Sequence, residues 1–396
     1  MTGLCILGST GSIGGSALNV VRDMPGRFRV VSLSAGKNLD LLAAQVIEFM
    51  PLMVSVKTAD EVEPLRGELA RRGYREPVRI VGGREGRIEA ATLSGVDALV
   101  SASHGVTGLI ATYEAVKAGK RVGLANKETL VVAGELVTRA ASASGAEVLP
   151  IDSEHCAIHQ CLRAGETREV ERLILTGSGG PFLKTPKKQF GSISPEQALN
   201  HPVWKMGGRI TVDSATLMNK GLEIIEARWL FGLSPARIDV VIHPESIIHS
   251  MVEFTDGCVL AQLAVADMRI PIQYALTYPE RAAAAHAALK LDLVAVGDLH
   301  FRRPDAKRFP CLALGREAIE QGGGVPCALN AADEIAVSAF LDRRIPFMSI
   351  PRIIEQVMRL APRAPLGSID DVLACDHEAR VRAMEFMREE IHRSTS

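Results

Sequence analysis

The sequence lacks several features that would place it in a specialised class of protein. No stretch approaches the roughly 20 apolar residues that a membrane-spanning helix requires. The 45 basic and 46 acidic residues leave a net charge of -1, which gives no electrostatic footprint for nucleic acid or an anionic membrane. The seven cysteines are odd in number and include no CxxC pair, which argues against a disulfide framework.

What is present is the composition of a soluble globular protein, with 47% apolar and 23% charged residues. At 396 residues the chain exceeds one ordinary core, so we expect two or three domains. The first residues show no signal-peptide pattern, because the apolar run begins by Leu4 and leads directly into glycines. We therefore expect a protein of the reducing cytoplasm.

The order of apolar and helical stretches predicts an α/β fold. Up to about Pro150 short apolar runs alternate with helical stretches, which is typical of βαβ units and a parallel sheet. We predict an N-terminal Rossmann-like parallel-sheet domain at residues 1–150 and a central α+β catalytic domain at 151–283. A connector at 284–310 and a C-terminal helical domain at 311–396 complete the prediction.

Within the central region we predict strands at 172–180 and 209–214, followed by one helix at 215–231. Ser214 precedes that helix and is a residue type suited to an N-cap. The pair Asp256-Gly257 stands between two β-like runs, which predicts a hairpin.

A glycine-rich loop, GSTGSIG, places Gly8, Gly11 and Gly14 between a predicted strand and a predicted helix. Glycines in that position permit a tight turn and the close approach of a pyrophosphate to the helix N-terminus. The spacing is a variant of the usual G-x-G-x-x-G, so a strand-to-helix turn without a ligand is the alternative.

The end of the second predicted strand, SLSAGKN, bears on the choice of cofactor. An NAD-selective site usually has an acid here that bonds the ribose 2′-hydroxyl, but this segment offers Lys37 and Asn38 and no acid. A lysine with polar neighbours suits a 2′-phosphate and favours NADPH. The alternative is that Lys37 is an ordinary lysine of a solvated turn.

Three carboxylates predict a site for a hard divalent cation. Asp152 and Glu154 follow an apolar run and, at i and i+2 of a strand exit, should project to one side. Asn219, Lys220 and Glu223 should line one helix face. Carboxylates without cysteine or histidine partners favour Mg²⁺ or Mn²⁺ over zinc. The alternative for each acid is a solvated surface charge.

A substrate phosphate is the second predicted ligand of the central region. TGSGGPF resembles a backbone nest for an anion, and Ser178, Ser214, Asn219 and Lys220 could bind a phosphate beside it. Trp204 lies in a loop-like stretch, NHPVWKMGG, where it is either a lid over the substrate or a core residue.

Together these segments strongly resemble the 1-deoxy-D-xylulose 5-phosphate reductoisomerase family over the whole chain. The resemblance rests on GSTGSIG, AGKN, LANKE, DSEH, TGSGGPF, HPVWKMG, DSATLMNKGLE and IHPESIIHS. It implies NADPH- and metal-dependent isomerisation and reduction of deoxyxylulose phosphate to 2-C-methylerythritol 4-phosphate, a step of isoprenoid precursor biosynthesis. The implied metal is Mg²⁺ or Mn²⁺, with Co²⁺ as an alternative, and the implied assembly is a homodimer without nucleic-acid or membrane partners.

The resemblance also implies roles for individual residues. It implies metal ligation by Asp152, Glu154 and Glu223. It implies NADPH contacts from Thr10, Gly11, Ser12, Ile13, Gly36, Lys37, Asn38, Asn126, Glu128 and Gly207. It implies substrate contacts from Lys127, Ser153, Glu154, Ser178, His201, Ser214, Asn219, Lys220 and Glu223. Of these, it implies catalytic roles for Lys127, Ser153, Glu154, His201 and Glu223.

Two departures and two rival functions accompany this interpretation. KMGGRI has glycine where the family pattern has a basic residue, and LAVADMR replaces a more acidic, proline-containing segment. The first rival is a metal-independent sugar or polyol dehydrogenase, which would not need the three carboxylates. The second is a non-catalytic NADPH-sensing protein, which would leave Lys220 and the nest unexplained.

Overall fold

The structure, a computed structural model, describes residues 1–103, 105–204, 207–283 and 289–395. Unit 1 comprises Met1–Thr129, Val137–Cys156 and Asp267–Leu289, and unit 2 comprises Leu130–Leu136, Ala157–Ala266 and Lys290–Ser396. Residues 284–288 of the predicted connector lie outside the described residues, and the three boundaries between the four predicted segments stay a prediction. Among the described residues, no helix combines the length and the apolar composition of a membrane-spanning segment.

The described part of unit 1 contains seven strands: β1 (Thr2–Leu7), β2 (Phe28–Ser34), β3 (Met53–Val56), β4 (Arg79–Gly82), β5 (Ala98–Ser101), β6 (Arg121–Leu124) and β7 (Val148–Pro150). They form one parallel sheet in the order β4-β3-β2-β1-β5-β6-β7. From β1 to β4 the strands are added on one side of β1, and from β5 to β7 they are added on the other side. Ligands of such sheets bind at the carboxyl ends of the strands, near the point where this order reverses. The predicted parallel α/β architecture is confirmed.

Helices alternate with these strands: α1 (Ser12–Asp23), α2 (Leu39–Phe49), α3 (Val62–Arg71), α4 (Gly83–Thr92), α5 (Leu109–Lys117), α6 (Glu128–Ser144) and α7 (Ser153–Cys161). Leu4 and Ile6 of β1 are fully buried, and so are Cys5 and Leu7, whose side chains point to the opposite face. A strand buried on both faces reads as a continuous apolar run, which is why CIL carries no alternation.

The described part of unit 2 contains four strands: β8 (Val170–Gly177), β9 (Ile238–Ile242), β10 (Ile248–Phe254) and β11 (Val259–Leu263). The sheet order is β11-β10-β8-β9, with β8 and β9 parallel and the other pairs antiparallel. The hairpin predicted at Asp256-Gly257 is confirmed, because β10 and β11 pair around it and Gly257 adopts a left-handed φ of 86°.

The helices that follow β8 are α8 (Pro195–Leu199), α9 (Gly208–Thr216), α10 (Met218–Phe231), α11 (Arg269–Thr277), α12 (Leu293–Val296), α13 (Pro310–Gln321), α14 (Val325–Leu341), α15 (Ser349–Leu360) and α16 (Ile369–Thr395). Helix α11 belongs to unit 1, where Ile272 and Ala275 join the apolar core. The predicted C-terminal helical region is confirmed by α13 to α16.

Two predictions for the central region are wrong. Residues 209–214 lie in helix α9 and form no strand, and residues 215–231 do not form a single helix. Leu217 adopts a left-handed φ of 60° and separates α9 from α10, so Ser214 is inside a helix and is no N-cap. The alternating apolar pattern of ITV misled the prediction, since packing of Thr211 and Val212 overrides their local preference for strand.

Candidate functional site

The glycine loop follows β1 in a tight turn. Gly8 has a φ of 83°, and both Gly8 and Ser9 donate their backbone N–H to Ser34 O, at 2.8 and 2.9 Å. Helix α1 begins directly after Gly11, which has no side-chain oxygen with which to cap it. The helix N-terminus therefore presents its positive end without a competing side chain, as an anion-binding turn requires.

Gly14 is required for a different reason. A Cβ at this position would lie 2.3 Å from Gly8 O and 2.5 Å from Ser9 Cα, so the helix could not pack against the turn. The neighbouring Gly15 has nothing within 4 Å of the same added atom. The third glycine of the motif therefore serves close packing between helix and turn.

We expect Gly14→Ala to lower the free energy of unfolding by about 1–3 kcal/mol, because the overpacked helix must move. The same displacement should raise the Kd for NADPH at least about tenfold, which fluorescence titration would measure. Gly15→Ala is the matched control, and it should leave NADPH binding unchanged while stabilising the helix by about 0.5–1 kcal/mol. Equal effects of the two substitutions would contradict the packing argument.

The segment after β2 is exposed and basic. Gly36, Lys37 and Asn38 are all exposed, and the Asn38 side chain accepts a hydrogen bond from Leu41 N at 2.9 Å to cap α2. The next acid, Asp40, forms an ion pair with Arg72. An exposed lysine therefore stands where an NAD-selective site would carry its carboxylate.

After β6 the chain places two buried polar residues. Asn126 donates its amide Nδ2 to Gly105 O at 3.0 Å, and its backbone N–H bonds Ser101 O at 3.0 Å. Lys127 is buried and forms an ion pair of 2.9 Å with Asp152 Oδ2. This pairing of a lysine after β6 with an acid after β7 joins two strand ends of the sheet edge.

The carboxylates of Asp152 and Glu154 converge in unit 1. They each offer an oxygen within 4.8 Å of the other, and Ser153 donates its hydroxyl to Glu154 Oε2. The prediction that Asp152 and Glu154 project to one side at the exit of a strand is wrong, because α7 begins at Ser153. The start of the helix, and not strand alternation, is what turns Glu154 toward Asp152. His155 approaches Asp152 Oδ2 at 3.6 Å and is fully buried.

In unit 2, Ser178 and two glycines follow β8. Gly179 and Gly180 have left-handed φ values of 83° and 67°, and Gly180 N donates to Ser178 Oγ at 3.2 Å. A Cβ on Gly180 would lie 2.6 Å from Ser214 O, so only glycine lets this turn approach α9. Consecutive left-handed residues give the TGSGG segment the turn shape expected of an anion-binding loop.

His201 joins Ser178 and Ser214 in what we call the serine–histidine cluster. Its Nε2 lies 3.0 Å from Ser178 Oγ and 3.1 Å from Ser214 Oγ. Its Nδ1 accepts hydrogen bonds from the backbone N–H groups of Trp204, at 2.9 Å, and Val203, at 3.2 Å. An Nδ1 that accepts carries no hydrogen, so the neutral ring has its hydrogen on Nε2.

The protonation state of the cluster follows from its surroundings. Burial lowers the pKa of His201, and the nearby charge of Lys220 lowers it further. The neutral ring therefore donates Nε2–H to the serine oxygens at neutral pH. That arrangement leaves the two hydroxyl hydrogens able to donate to an anion.

Helix α10 contributes a further group of polar side chains, those of Asn219, Lys220 and Glu223. Asn219 Nδ2 donates to Glu223 Oε1 at 2.6 Å, and Lys220 Nζ donates to Glu223 Oε2 at 2.5 Å and to Thr176 O at 2.8 Å. The prediction that Asn219, Lys220 and Glu223 share a helix face is confirmed. Glu223 is fully buried, and both of its oxygens are held by donors. Thr176 begins the predicted TGSGGPF nest, but its role as hydrogen-bond acceptor for Lys220 was not predicted, because a main-chain carbonyl is not signalled by residue type.

The remaining predicted residues flank these groups. Trp204 is half-buried with its ring centroid 6.2 Å from that of His249, and Gly207 precedes α9 as its N-cap. Lys205 and Met206 of the predicted lid segment lie outside the described residues, so its mobility stays a prediction. Thr10 and Ile13 are half-buried in the glycine loop, Ser12 is exposed, and Glu128 opens α6.

Comparison with known proteins identifies the family to which the chain is similar. Family models described as 1-deoxy-D-xylulose 5-phosphate reductoisomerase match residues 4–134, with their C-terminal domains matching residues 148–231 and 263–382. Proteins of that name from Solibacter usitatus and Chlorobium limicola are 50% and 49% identical. The alignments cover 97% and 98% of this chain and 97% and 100% of those proteins.

Solved structures of reductoisomerases have a similar fold over nearly the whole chain. The reductoisomerase from Zymomonas mobilis in complex with NADPH is 40% identical with a TM-score of 0.91, covering 98% of this chain and 99% of that one. A DOX-P reductoisomerase in complex with NADPH, fosmidomycin and magnesium is 41% identical with a TM-score of 0.92, covering 98% of both chains. By sequence, by fold and by the motifs that carry its polar groups, the chain belongs to the 1-deoxy-D-xylulose 5-phosphate reductoisomerase family.

Proposed function

We propose that this protein converts 1-deoxy-D-xylulose 5-phosphate into 2-C-methyl-D-erythritol 4-phosphate, with NADPH as hydride donor and a divalent cation as cofactor. The step belongs to the methylerythritol phosphate route to isoprenoid precursors. The observation that carries the proposal is the serine–histidine cluster, since its hydroxyl groups and the ammonium of buried Lys220 would supply hydrogen-bond donors to a phosphate in unit 2. Identity near 50% over almost the whole chain to relatives of that name supports it.

NADPH would bind at the carboxyl edge of the parallel sheet. The pyrophosphate would meet the start of α1, contacting Thr10, Gly11, Ser12 and Ile13. The exposed Lys37 would pair with the 2′-phosphate, with Gly36 and Asn38 beside it. Contacts from Asn126, Glu128 and Gly207 complete the proposed cofactor set.

The cation would be held by Asp152, Glu154 and Glu223. An all-carboxylate donor set suits Mg²⁺ or Mn²⁺, with Co²⁺ as an alternative, and Asp152 and Glu154 already offer oxygens within 4.8 Å of each other. When bound, the ion would supply Lewis acidity toward the substrate's oxygens. The ammonium of Lys127, which pairs with Asp152, would hold that carboxylate in its orientation.

The substrate phosphate would be bound by the hydroxyls of Ser178 and Ser214, by Asn219 and by the ammonium of Lys220. Phosphate contacts remote from the reacting carbons would supply binding energy for orientation. The substrate carbons that react would be surrounded by Lys127, Ser153, Glu154, His201 and Glu223. There the substrate's C3–C4 bond would break and a C2–C4 bond would form, which gives a branched aldehyde. Hydride from NADPH and a proton would convert that aldehyde to the alcohol of the product.

We further propose that two copies associate as a homodimer in the cytoplasm, as the family resemblance implies. Light scattering on the purified protein would test the assembly. A mass equal to one chain at micromolar concentration would contradict it.

The reaction itself is tested by product analysis. Purified protein with deoxyxylulose phosphate, NADPH and Mg²⁺ should give a product whose carbon NMR shows a methyl group on a quaternary carbon. The reason is that a C2–C4 bond formed in place of the C3–C4 bond leaves the methyl-bearing carbon with no hydrogen, whereas simple reduction keeps the chain linear. An unbranched polyol phosphate would contradict the reductoisomerase assignment and favour the dehydrogenase.

Cofactor choice is tested separately. We expect a higher kcat/KM with NADPH than with NADH, and Lys37→Glu should reduce that preference about tenfold through repulsion of the 2′-phosphate. Lys117→Glu is the matched control, because it makes the same charge change at the C-terminus of α5, where Lys117 pairs with Glu114. A preference for NADH in the unmodified protein would contradict the assignment.

A further inference from the structure

Arg308 lies two residues before the start of α13 and donates hydrogen bonds to the main chain of a distant segment. Its Nη1 donates to Leu183 O at 3.1 Å, and its Nη2 donates to Phe182 O at 2.9 Å and to Thr185 O. We call the acceptor segment, residues 182–185, the 182–185 turn. One guanidinium thus bonds three of the four carbonyl groups of this turn.

The 182–185 turn continues directly from the proposed phosphate-binding segment. Only Pro181 separates it from Gly180, and Leu183 N donates back to Gly180 O at 3.5 Å. Gly179 and Gly180, which precede the turn, adopt a left-handed backbone conformation. Glycine has access to many other backbone conformations in a flexible chain. Fixing the 182–185 turn therefore restricts the conformations open to Ser178 and the two glycines.

Arg308 is itself held rigidly. Its guanidinium carbon lies 5.6 Å from the ring centroid of Phe190 and 5.2 Å from that of Phe309. Its backbone N–H bonds Asp305 Oδ1 at 3.1 Å. The guanidinium therefore lies over two aromatic rings while its Nη atoms bond the carbonyls, and a lysine ammonium lacks the planar fork of donors that such bonding uses.

The side-chain hydrogen bonds of Arg308 all go to main-chain carbonyl oxygens among the described residues. Among the described residues no carboxylate lies within ion-pair distance of its guanidinium, in contrast to Arg172 and Arg209, which pair with acids. A cation that is neutralised by no acid contributes a positive potential to its surroundings. That potential favours an anion at the neighbouring loop.

We propose that Arg308 is a positioning residue that holds the 182–185 turn, and through it Ser178 and the Gly179–Gly180 pair, in the conformation that binds the substrate's phosphate. The proposal rests on the proposed function for the identity of the anion. Arg308 does not touch the substrate in this account; it acts through the main chain of the turn.

Arg316 provides a matched control. It lies in α13, is half-buried, and also donates only to main-chain carbonyls, those of Pro235 and Ile238, at 2.5 and 2.6 Å. Its acceptors precede and begin β9 and belong to no predicted site. Loss of either arginine fork should lower the Tm, but only Arg308 should affect the phosphate.

The experiment compares Arg308→Lys and Arg316→Lys in the full-length protein. We expect Arg308→Lys to raise the KM for the phosphorylated substrate about tenfold while the KM for NADPH stays within about twofold. Arg316→Lys should lower the Tm with both KM values unchanged. Equal substrate effects in the two variants, or an unchanged substrate KM in Arg308→Lys, would overturn the proposal.

Binding of inorganic phosphate, followed by calorimetry, separates this proposal from the proposed function. If the wild-type protein binds phosphate but leaves deoxyxylulose phosphate unconverted, the proposed function fails and weaker phosphate binding in Arg308→Lys still supports the positioning role. If the wild-type protein binds no phosphate, the positioning role is overturned. Arg308→Gln, which keeps two N–H donors without the charge, replaces Arg308→Lys in both assays should that variant not fold.

Discussion

A Glu223→Gln variant is expected to lose about a thousandfold in kcat/KM. Glu223 is fully buried and both of its oxygens accept hydrogen bonds, from Asn219 and Lys220, so its carboxylate is held in one orientation. Removing its charge from the proposed cation site should weaken metal binding and the Lewis-acid contribution, which is worth several kcal/mol, or about three powers of ten in rate. Steady-state kinetics at increasing Mg²⁺ would show the loss, with part of it recovered at high metal.

The control for this variant is Glu390→Gln. Glu390 is also buried, and its Oε2 accepts hydrogen bonds from Ser349 at 2.7 Å and Arg352 at 2.6 Å, within the C-terminal helices. Its loss should lower the Tm and leave the metal dependence of kcat/KM unchanged. Full activity of the unmodified protein after chelation, or equal kinetic losses in the two variants, would refute the cation site.

Replacing Lys220 with methionine should raise the KM for the phosphorylated substrate about a hundredfold. Methionine keeps the apolar stem that packs near Gly177 but removes the ammonium group. A hydrogen bond to a charged group contributes about 1.5–3 kcal/mol, which corresponds to one or two powers of ten in affinity. The KM for NADPH should stay nearly unchanged, because the charge serves the substrate.

A substrate without its phosphate distinguishes this role from a general disturbance. Lys220 also donates to Glu223 and Thr176, so Lys220→Met should lower kcat as well. With unphosphorylated deoxyxylulose the wild-type protein and Lys220→Met should differ much less in KM than they do with the phosphorylated substrate. The same ratio for both substrates would mean that Lys220 supports the fold of the site and does not bind phosphate.

The segments that sequence alone located correctly are those whose chemistry is local. The glycine loop after β1, the acid-free end of β2 and the Asp256-Gly257 hairpin each depend on a few consecutive residues, and the structure has each where the pattern predicts it. The one-face arrangement of Asn219, Lys220 and Glu223 is likewise a consequence of helical spacing. Such features need no information about the rest of the chain.

Errors arose where a tertiary contact outweighs local preference. The β-branched residues of 209–214 favour a strand, but their burial stabilises α9, and the left-handed Leu217 then separates it from α10. Strand alternation at Asp152 and Glu154 failed in the same way, since α7 starts one residue after Asp152.

Composition and short-range spacing thus suffice to predict the α/β class, the glycine loop, the basic end of β2 and the identity of the polar residues. The tautomer of His201 requires the folded chain, because it depends on N–H groups of Val203 and Trp204 and on two serines, one before it and one after it in the chain. The main-chain partners of Lys220 and Arg308 likewise depend on the fold. A carbonyl oxygen is present in every residue, so no residue type marks which one a folded chain will bring to a buried cation.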